Sequence, residues 1–430
     1  MTEKLVIVGN GMAASRLLND LVKTDPNRFE VFVFDQEPHG SYNRIMLSPV
    51  LAKEMDAQDI LLNTPEWYSQ NQIHLHANDP VVALDTQAQV ATSASGLSIQ
   101  YDKLVFATGS EPAVPGNLRD NPLSGVYTFR NMGDVANIQK AADGGKNAVV
   151  VGGGLLGLEA AYGLSKQGIK VTVVHKGEWL LNRQLDQHAA TLLAQELESR
   201  NIALALDTEI SEMHGNSEQA LTQVTLANGQ QLDADLAVIA IGIVPNSELA
   251  ASAGLDCERG IVVDQFLTTS APNIFALGEC CQFEKQTFGL VAPIWDQSET
   301  LAHHLCERDP EHYFVRPTAT KLKVSGINLF SAGEFLSAEG LEEVVFYDHK
   351  LSTYKKLLIK NNQLVGAVLY GAVSDGNWYF DLIQEKTDIT AMRDYLIFGK
   401  DIAELKAEHY SPTRPSAPQE SEQHDKRTNP

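Results

Sequence analysis

Two segments of the chain share one pattern, an apolar strand followed by a glycine turn and a helix. They are VIVGNGMAASRLL at 6–18 and VVVGGGLLGLEAA at 149–161. In such a turn the first glycine permits the tight bend, the second lets a pyrophosphate approach the backbone, and a small third residue lets the helix pack on the strand. The helix N-terminus then offers free N–H groups to phosphates. The pattern therefore predicts two phosphate-binding βαβ units in one chain.

The first turn has the form G-x-G-x-x-A, formed by Gly9, Gly11 and Ala14. The next apolar stretch, EVFVFD, ends at Asp35, whose carboxylate can accept the ribose hydroxyls of an adenosine. Glu37 is the alternative acceptor. Strand, turn, helix, strand and acid thus follow one another in the order of a dinucleotide-binding unit.

The second turn is followed by the strand KVTVVHK, which ends at His175 and Lys176 rather than at an acid. Without the acid, the 2′-hydroxyl loses its acceptor, and a 2′-phosphate meets no repulsion. We therefore expect a preference for NADPH, or no preference. The alternative is that both residues face solvent and that selectivity lies elsewhere, as at Arg183. The glycines of this turn are Gly152, Gly154 and Gly157.

Composition restricts the class of protein. The 430 residues are enough for two or three domains, and no apolar run reaches the roughly 18 residues of a membrane-spanning helix. The net charge of −22 argues against nucleic acid or an anionic membrane as partner; it suits either a basic docking patch on a protein or simple solubility. Four cysteines and a first strand that begins near Leu5 predict a cytoplasmic protein without a signal peptide.

Two later stretches connect the units. YDKLVFATGSEPAVPG at 101–116 is an apolar strand followed by Ala-Thr-Gly, and TSAPNIFALGECCQ at 269–282 is a strand followed by Gly278 and Glu279. With both glycine turns in this order, the chain resembles the two-dinucleotide flavoprotein reductases of the glutathione-reductase fold. In those proteins a nicotinamide domain is inserted into an FAD domain. The resemblance implies that the first turn holds FAD and the second holds NAD(P)H.

The implied fold class is α/β, with two Rossmann-like dinucleotide-binding domains and a small α+β interface domain at the C-terminal end. The expected division is an FAD-binding domain at 1–113 and 247–320, an NAD(P)H-binding domain at 114–246, an interface domain at 321–400 and a disordered tail at 401–430. The tail is expected because residues 411–430 contain almost nothing apolar.

A narrower resemblance rests on several motifs in matching order: GNGMAASRLLNDL, SYNRIMLSPVL, VVGGGLLGLEAA, RQLDQ, ALGECC, FGLVAP and TKLKVSGINLFSAG. Over roughly residues 4–400 the chain resembles the N-terminal flavoprotein half of assimilatory NAD(P)H nitrite reductases. It is equally similar to the stand-alone flavoprotein electron-transfer subunits of assimilatory nitrate reductase. The [2Fe–2S] and siroheme parts of the nitrite reductases are not in this sequence, so we expect electron transfer rather than nitrite reduction.

The resemblance also implies roles for individual residues. Glu159, just after the second turn, would face the nicotinamide; an exposed helix carboxylate is the alternative. The implied FAD contacts are Arg44 near the pyrophosphate, Ser48 near the flavin, Thr108 and Gly109 through their backbone, Glu279 at the ribityl hydroxyls, and the helix start from Ala292 to Trp295 at the isoalloxazine.

The positions of the cysteines indicate the route by which electrons leave the flavin. The first cysteine is Cys257, so the dithiol that related reductases carry near the first turn is missing. Adjacent Cys280 and Cys281 are expected to be ordinary thiols, because a disulfide between neighbours is strained. No metal-ligand spacing occurs. We expect hydride transfer from NAD(P)H to FAD and then one-electron transfer to an acceptor protein, with no side chain acting as acid, base or nucleophile.

The favoured acceptor is the catalytic subunit of assimilatory nitrate or nitrite reductase. A rubredoxin or ferredoxin reductase, which would use a small iron–sulfur protein, is the alternative enzyme. A redox-sensing protein that binds flavin and nicotinamide without turnover is the alternative from another class. Whether the chain forms a homodimer stays open.

Overall fold

The computed structural model describes residues 2–119, 123–324 and 326–409. In the first range the elements are β1 (Glu3–Val8), α1 (Met12–Thr24), β2 (Phe29–Phe34), α2 (Leu47–Leu51), α3 (Pro65–Gln70), β3 (Ile73–His76), β4 (Val81–Asp85), β5 (Val90–Ser93), β6 (Ser98–Gln100), β7 (Lys103–Phe106), β8 (Ser110–Pro112) and α4 (Gly116–Arg119). Short 3₁₀ turns lie at Arg44–Met46 and Ala57–Ile60.

The middle of the chain forms β9 (Val126–Thr128), α5 (Met132–Ala142), β10 (Asn147–Val151), α6 (Leu155–Lys166), β11 (Lys170–Val174), α7 (Gln187–Ser199), β12 (Ile202–Ala205), β13 (Ile210–Gly215), β14 (Leu221–Leu226), β15 (Gln231–Asp233), β16 (Leu236–Ile239), β17 (Ile243–Pro245), α8 (Glu248–Ser252) and β18 (Ile261–Val263). The last part forms β19 (Ile274–Ala276), β20 (Cys281–Phe283), β21 (Gln286–Thr287), α9 (Val291–Leu305), β22 (Ala319–Val324), β23 (Ile327–Gly333), β24 (Glu342–Asp348), β25 (Thr353–Lys360), β26 (Gln363–Tyr370), α10 (Gly376–Glu385) and α11 (Lys400–Glu408), with 3₁₀ turns at Gly278–Cys280 and Arg393–Phe398.

The first parallel sheet has the strand order β3–β2–β1–β7–β19. Its edge strand β19 comes from residues 274–276, so the chain returns to this sheet after passing through another unit. Strands β1 and β7 are buried for most of their length, as parallel strands covered on both faces are. Helices α1 and α9 pack against each other beside this sheet.

The second parallel sheet repeats this plan, with the order β12–β11–β10–β16–β9. In each sheet the strand before the glycine turn is central, and the strand after the helix lies beside it. The N–H of Gly9 donates to Phe34 at 2.8 Å, and the N–H of Gly152 donates to Val174 at 2.8 Å. Two such sheets confirm the predicted α/β class with two Rossmann-like units.

The chain passes between the two units through two adjacent segments. Strand β8 leads out of the first unit, β17 leads back, and the two pair antiparallel. The hydroxyl of Thr108 donates to the carbonyl of Asn246 at 2.7 Å, and the Asn246 side chain donates to the Thr108 carbonyl at 2.9 Å. These contacts lie next to the expected boundaries at 113 and 246, and the boundaries themselves stay predictions.

A five-stranded antiparallel sheet, in the order β22–β23–β26–β25–β24, forms the C-terminal part. Helix α10 covers one face, where Tyr379 is fully buried. On the other face the Tyr354 hydroxyl donates to the Asp186 carboxylate at 2.7 Å, and the Lys356 ammonium lies 3.2 Å from the same carboxylate. Because Asp186 caps α7 in the second unit, a buried ionic cluster joins the two parts.

The tail differs in part from its prediction. Residues 400–408 form α11, whereas disorder is expected from 401 onward. The segment DIAELKAE contains good helix formers, and Ala403 is fully buried. The prediction, which used only the low apolar content, therefore starts the tail too early. The rest of the expected tail, residues 410–430, lies outside the described residues. None of the described helices is long and apolar enough to cross a membrane.

Candidate active site

One cavity of about 2690 Å³ extends from the first glycine turn to the second. Pockets for a drug-sized ligand measure roughly 300–1,000 Å³, so this cavity has room for two dinucleotides. The predicted residues that line it are Gly9, Gly11, Asp35, Glu37, Arg44, Ser48, Thr108, Gly109, Gly152, Gly154, Glu159, His175, Lys176, Glu279, Ala292 and Trp295.

Three predicted residues lie behind the cavity wall, where small size permits close packing. Ala14 and Gly157 are buried in the first turns of α1 and α6. A Cβ at Gly157 would lie 1.9 Å from the carbonyl oxygen of Gly152, and one at Gly278 would lie 2.9 Å from the Cβ of Ala13. These positions shape the site through packing rather than through direct contact.

The first glycine turn has the geometry of an anion cradle. Gly9 has φ of +100°, and a Cβ there would lie 2.4 Å from the carbonyl oxygen of Ala107, so only glycine fits. At Gly11 a Cβ would point into open space, with the Arg44 side chain 4.0 Å away. Gly11 is also the N-cap of α1 and gives it no side-chain cap. The first N–H groups of α1 are thus left for a ligand.

The second turn has the same geometry. Gly152 has φ of +121°, and a Cβ there would lie 2.2 Å from the carbonyl oxygen of Ala240. Gly154 has open space where a side chain would be, and it begins α6 without a side-chain cap. Both helix starts line the one cavity, so the structure has two equivalent places for phosphates.

The predicted ribose acceptors at the end of β2 differ in environment. The Glu37 carboxylate lies 2.5 Å from the Arg44 guanidinium and accepts the Tyr42 hydroxyl at 2.7 Å. Asp35 is 8% exposed, and no cation lies within ion-pair distance of it among the described residues. Burial raises the pKa of Asp35 to about 6. Because Glu37 already has two side-chain partners and Asp35 has no cation beside it, hydroxyl donors of a ribose would stabilise the Asp35 carboxylate more than that of Glu37.

Asn10 adds a polar group that sequence reasoning missed. It is 2% exposed, and its carbonyl accepts the Tyr68 hydroxyl at 2.9 Å. Its side-chain N–H₂ is buried and has no hydrogen-bond partner within the described part of the chain. Because an unpaired buried donor is costly, this group fits a site that a ligand completes.

Two residues from different units meet in the lining of the cavity. The Ser48 hydroxyl, in α2, donates to the Glu159 carboxylate, in α6, at 2.5 Å. Burial raises the pKa of Glu159, and the bond from Ser48 opposes the rise. Glu159 is half-buried, so the alternative of an exposed helix carboxylate is wrong.

Arg130 is a second residue that sequence reasoning missed. It follows β9 in the second unit, lines the cavity and forms an ion pair with Glu279 of the first unit. Glu279 also accepts the Ser110 hydroxyl at 2.7 Å. Glu279 therefore already has two protein partners, whereas the sequence-based expectation named only the ribityl hydroxyls of FAD as its partners. No local pattern in the sequence signals this pair.

Helix α9 begins at the cavity wall, as expected from LVAPIWDQ. Its N-cap, Leu290, provides no side-chain hydrogen bond, and residues 291, 292, 294 and 295 line the cavity. The Arg16 guanidinium lies 5.3 Å from the centre of the Trp295 ring. The positive end of this 15-residue helix thus points at the cavity.

His175 and Lys176 depart from the expected pair of basic groups. The Nδ1 of His175 accepts the N–H of Gly153 at 3.1 Å, so the ring turns toward the glycine turn. Burial lowers the pKa of His175 more than the Trp179 backbone raises it, which keeps the ring neutral at pH 7. The Lys176 ammonium lies 3.0 Å from the Glu209 carboxylate. In the folded protein, therefore, neither residue is a free cation that could bind the 2′-phosphate of NADPH, and the expected preference for NADPH has less support.

The four cysteines, all within the described ranges, are free thiols. Cys280 and Cys281 are fully buried, and burial raises the pKa of both. Residues 2–119, 123–324 and 326–409 contain no group of three or more His, Cys, Asp or Glu side chains that could hold a metal ion.

Comparison with known proteins gives the family. The pyridine nucleotide-disulphide oxidoreductase model matches residues 3–303, and the rubredoxin NAD⁺ reductase C-terminal domain matches residues 318–387. The chain is 39% identical over 391 residues to a nitrite reductase [NAD(P)H] of Bacillus subtilis, covering 90% of this chain and 48% of that protein. It is 37% identical over 398 residues to the assimilatory nitrate reductase electron transfer subunit of the same organism, covering 92% and 51%.

The chain thus spans about half the length of these two curated relatives. Among solved structures, NADH:rubredoxin oxidoreductase from Clostridium acetobutylicum matches with a TM-score of 0.75 and 23% identity, covering 91% of this chain and 97% of that one. Proteins of the matched family bind FAD and NAD(P)H. The chain belongs to the pyridine nucleotide-disulphide oxidoreductase family and is an oxidoreductase.

Proposed function

We propose that this protein carries electrons from NAD(P)H, through bound FAD, to an acceptor protein. The observation that carries the proposal is the single cavity whose lining includes both glycine turns and the Ser48–Glu159 contact. Two dinucleotides held at the two helix starts would meet at that contact. FAD, when bound there, supplies a hydride acceptor that releases its electrons one at a time.

The residues of the first unit fit FAD. The N–H groups at the start of α1 would bind the pyrophosphate, and Arg44 lies beside them as a second phosphate donor. Asp35 would accept the ribose hydroxyls. The uncapped start of α9 would place a positive dipole end beside the isoalloxazine, where negative charge develops on reduction.

Between the two units, Glu159 is the residue best placed to orient the nicotinamide. Its carboxylate lines the cavity and is held by the Ser48 hydroxyl, so it can accept an N–H from the carboxamide without moving. This is a positioning role. No proton transfer by a side chain is needed, because a hydride carries both electrons.

Electrons then leave the protein without a thiol relay. Cys280 and Cys281 are buried with raised pKa values, which disfavours the reactive thiolate form. The acceptor is therefore a separate redox centre.

The acceptor we favour is the catalytic subunit of assimilatory nitrate or nitrite reductase. The support is the similarity to the assimilatory nitrate reductase electron transfer subunit over 92% of this chain. A rubredoxin-type acceptor is the second candidate, favoured by the C-terminal match to rubredoxin NAD⁺ reductase at 318–387. With either acceptor, we place the protein in the cytoplasm.

Rapid mixing tests the proposal. NADH or NADPH, added without oxygen to the FAD-loaded protein, should bleach the flavin absorbance within milliseconds to seconds. An added acceptor should restore it. A redox sensor would instead form a long-lived charge-transfer complex that the acceptor does not discharge. A wild-type protein that fails to take up FAD would refute the proposal.

A further inference from the structure

The nicotinamide site lacks the usual acid at the end of its second strand. Position 175 holds a neutral histidine whose Nδ1 is occupied by the Gly153 N–H. In many dinucleotide sites, a carboxylate at this place binds the ribose 2′-hydroxyl and repels a 2′-phosphate.

The loop after β12 brings a carboxylate, that of Glu209, next to Lys176 just after β11. The N–H of Thr208 donates to the carbonyl of His175 at 3.2 Å, which fixes this loop beside the strand end. The next residue, Glu209, lines the cavity with Lys176, and their charged groups lie 3.0 Å apart. The loop after β12 thus places a carboxylate beside the end of β11, where the usual acid is lacking.

Thr208 gives an independent indication of a ligand. It is 6% exposed and lines the cavity, and its hydroxyl has no hydrogen-bond partner among the described residues. A neutral hydroxyl beside a carboxylate suits a sugar hydroxyl, which both donates and accepts. It suits a 2′-phosphate poorly, because the phosphate brings two negative charges toward Glu209.

We propose that Glu209 makes the nicotinamide site selective for NADH over NADPH. The inference rests on the proposed function and names its electron donor. Glu209 acts in two ways: it accepts the ribose 2′-hydroxyl, and it holds the Lys176 ammonium that a 2′-phosphate would otherwise bind. Arg183 is another exposed cation that lines the cavity. Its effect must therefore be separated from that of Lys176.

The test is equilibrium binding of NAD⁺, NADP⁺ and 2′,5′-ADP to the FAD-loaded protein by calorimetry, which needs no turnover. Wild type should bind NAD⁺ more tightly than NADP⁺. Glu209→Gln should strengthen NADP⁺ and 2′,5′-ADP binding by about three- to tenfold, since charge pairs this exposed to solvent are modest. The gain should shrink as ionic strength rises from about 0.05 M to about 0.5 M.

Matched variants separate the causes. Glu178→Gln removes an exposed carboxylate from the loop after β11, which also carries Lys176; it lies outside the cavity lining and should leave the ratio of NAD⁺ to NADP⁺ affinity unchanged. Adding Lys176→Ala to Glu209→Gln should reduce the gain to the part that comes from relieved repulsion between Glu209 and the phosphate. A gain that Lys176→Ala leaves undiminished but Arg183→Ala removes would show that Arg183 binds the phosphate and would overturn the assigned role of Lys176.

The remaining outcomes are decisive as well. The inference is overturned if the wild-type protein binds NADP⁺ as tightly as NAD⁺. It is also overturned if Glu209→Gln has the same ratio of NAD⁺ to NADP⁺ affinity as the wild type. In both cases nucleotides still bind, and the proposed function stands. If neither nucleotide binds while FAD remains in place, the proposed function fails together with the inference.

Discussion

Asp35 offers a test in which stability and binding should change in opposite directions. Its carboxyl is 8% exposed, and burial raises its pKa from 3.8 to about 6. The folded apoprotein therefore holds this proton more tightly than the unfolded chain does. The contribution of Asp35 to stability is highest below pH 3.8 and is lost as pH rises through 6. Over that range the loss amounts to about 3 kcal/mol.

Asp35→Asn removes the charge and keeps an oxygen for the Glu37 N–H, which lies 3.3 Å from the carboxylate in the wild type. The variant apoprotein should be more stable at pH 7.5 by up to about 3 kcal/mol, with little gain near pH 4. FAD affinity should fall about tenfold, because hydrogen bonds to a charged acceptor are stronger than those to a neutral one by roughly 1–1.5 kcal/mol.

The assay is denaturant unfolding of the flavin-free protein at several pH values, with FAD binding followed by quenching of flavin fluorescence. Asp56→Asn, at an exposed site outside the cavity lining, is the control and should change neither quantity. The reasoning fails if Asp35→Asn lowers stability at pH 7.5. If stability rises while FAD affinity stays at the wild-type value, Glu37 rather than Asp35 holds the ribose.

Three further predictions follow from the site and its supports. Gly11→Glu should give a folded but colourless protein, since a side chain and a negative charge would occupy the pyrophosphate position; flavin absorbance and circular dichroism measure this. Cys280→Ala with Cys281→Ala should keep electron transfer from NAD(P)H to a dye, normalised to flavin content, and its selective loss would indicate a thiol relay. Lys356→Met should lower the free energy of unfolding by about 3–5 kcal/mol, because it leaves the buried Asp186 carboxylate without its cation; an unchanged denaturation midpoint would contradict this.

The parts of the site that the sequence predicts are those set by local geometry. A strand, a glycine turn and a helix are adjacent in the chain, so their residue types show where Gly9 and Gly152 must bend and where Gly11 and Gly154 must stay open. The acid after β2 is predictable for the same reason, because its distance from the turn is fixed by one βαβ unit. The α/β class follows from finding this unit twice.

The contacts that the sequence does not predict join residues far apart in the chain. Arg130 and Glu279 are 149 positions apart, and Ser48 and Glu159 are 111 apart. Their pairing depends on how two folded units pack, which no strand or helix pattern specifies. The His175 ring shows the same limit on a smaller scale, because its residue type indicates a cation while its burial in the folded protein lowers its pKa and keeps it neutral.

The distribution of these long-range contacts bears on how the site works. The Ser48–Glu159 and Arg130–Glu279 contacts both join the two units, and all four residues line the cavity. Polar groups at such a place can exchange a protein partner for a ligand hydroxyl or phosphate at small net cost, whereas an apolar interface could not. Two of the contacts that join the units are therefore contacts that bound nucleotides would meet. Binding in either unit would then alter contacts that both units share, and this gives a structural reason for the two turns to share one cavity.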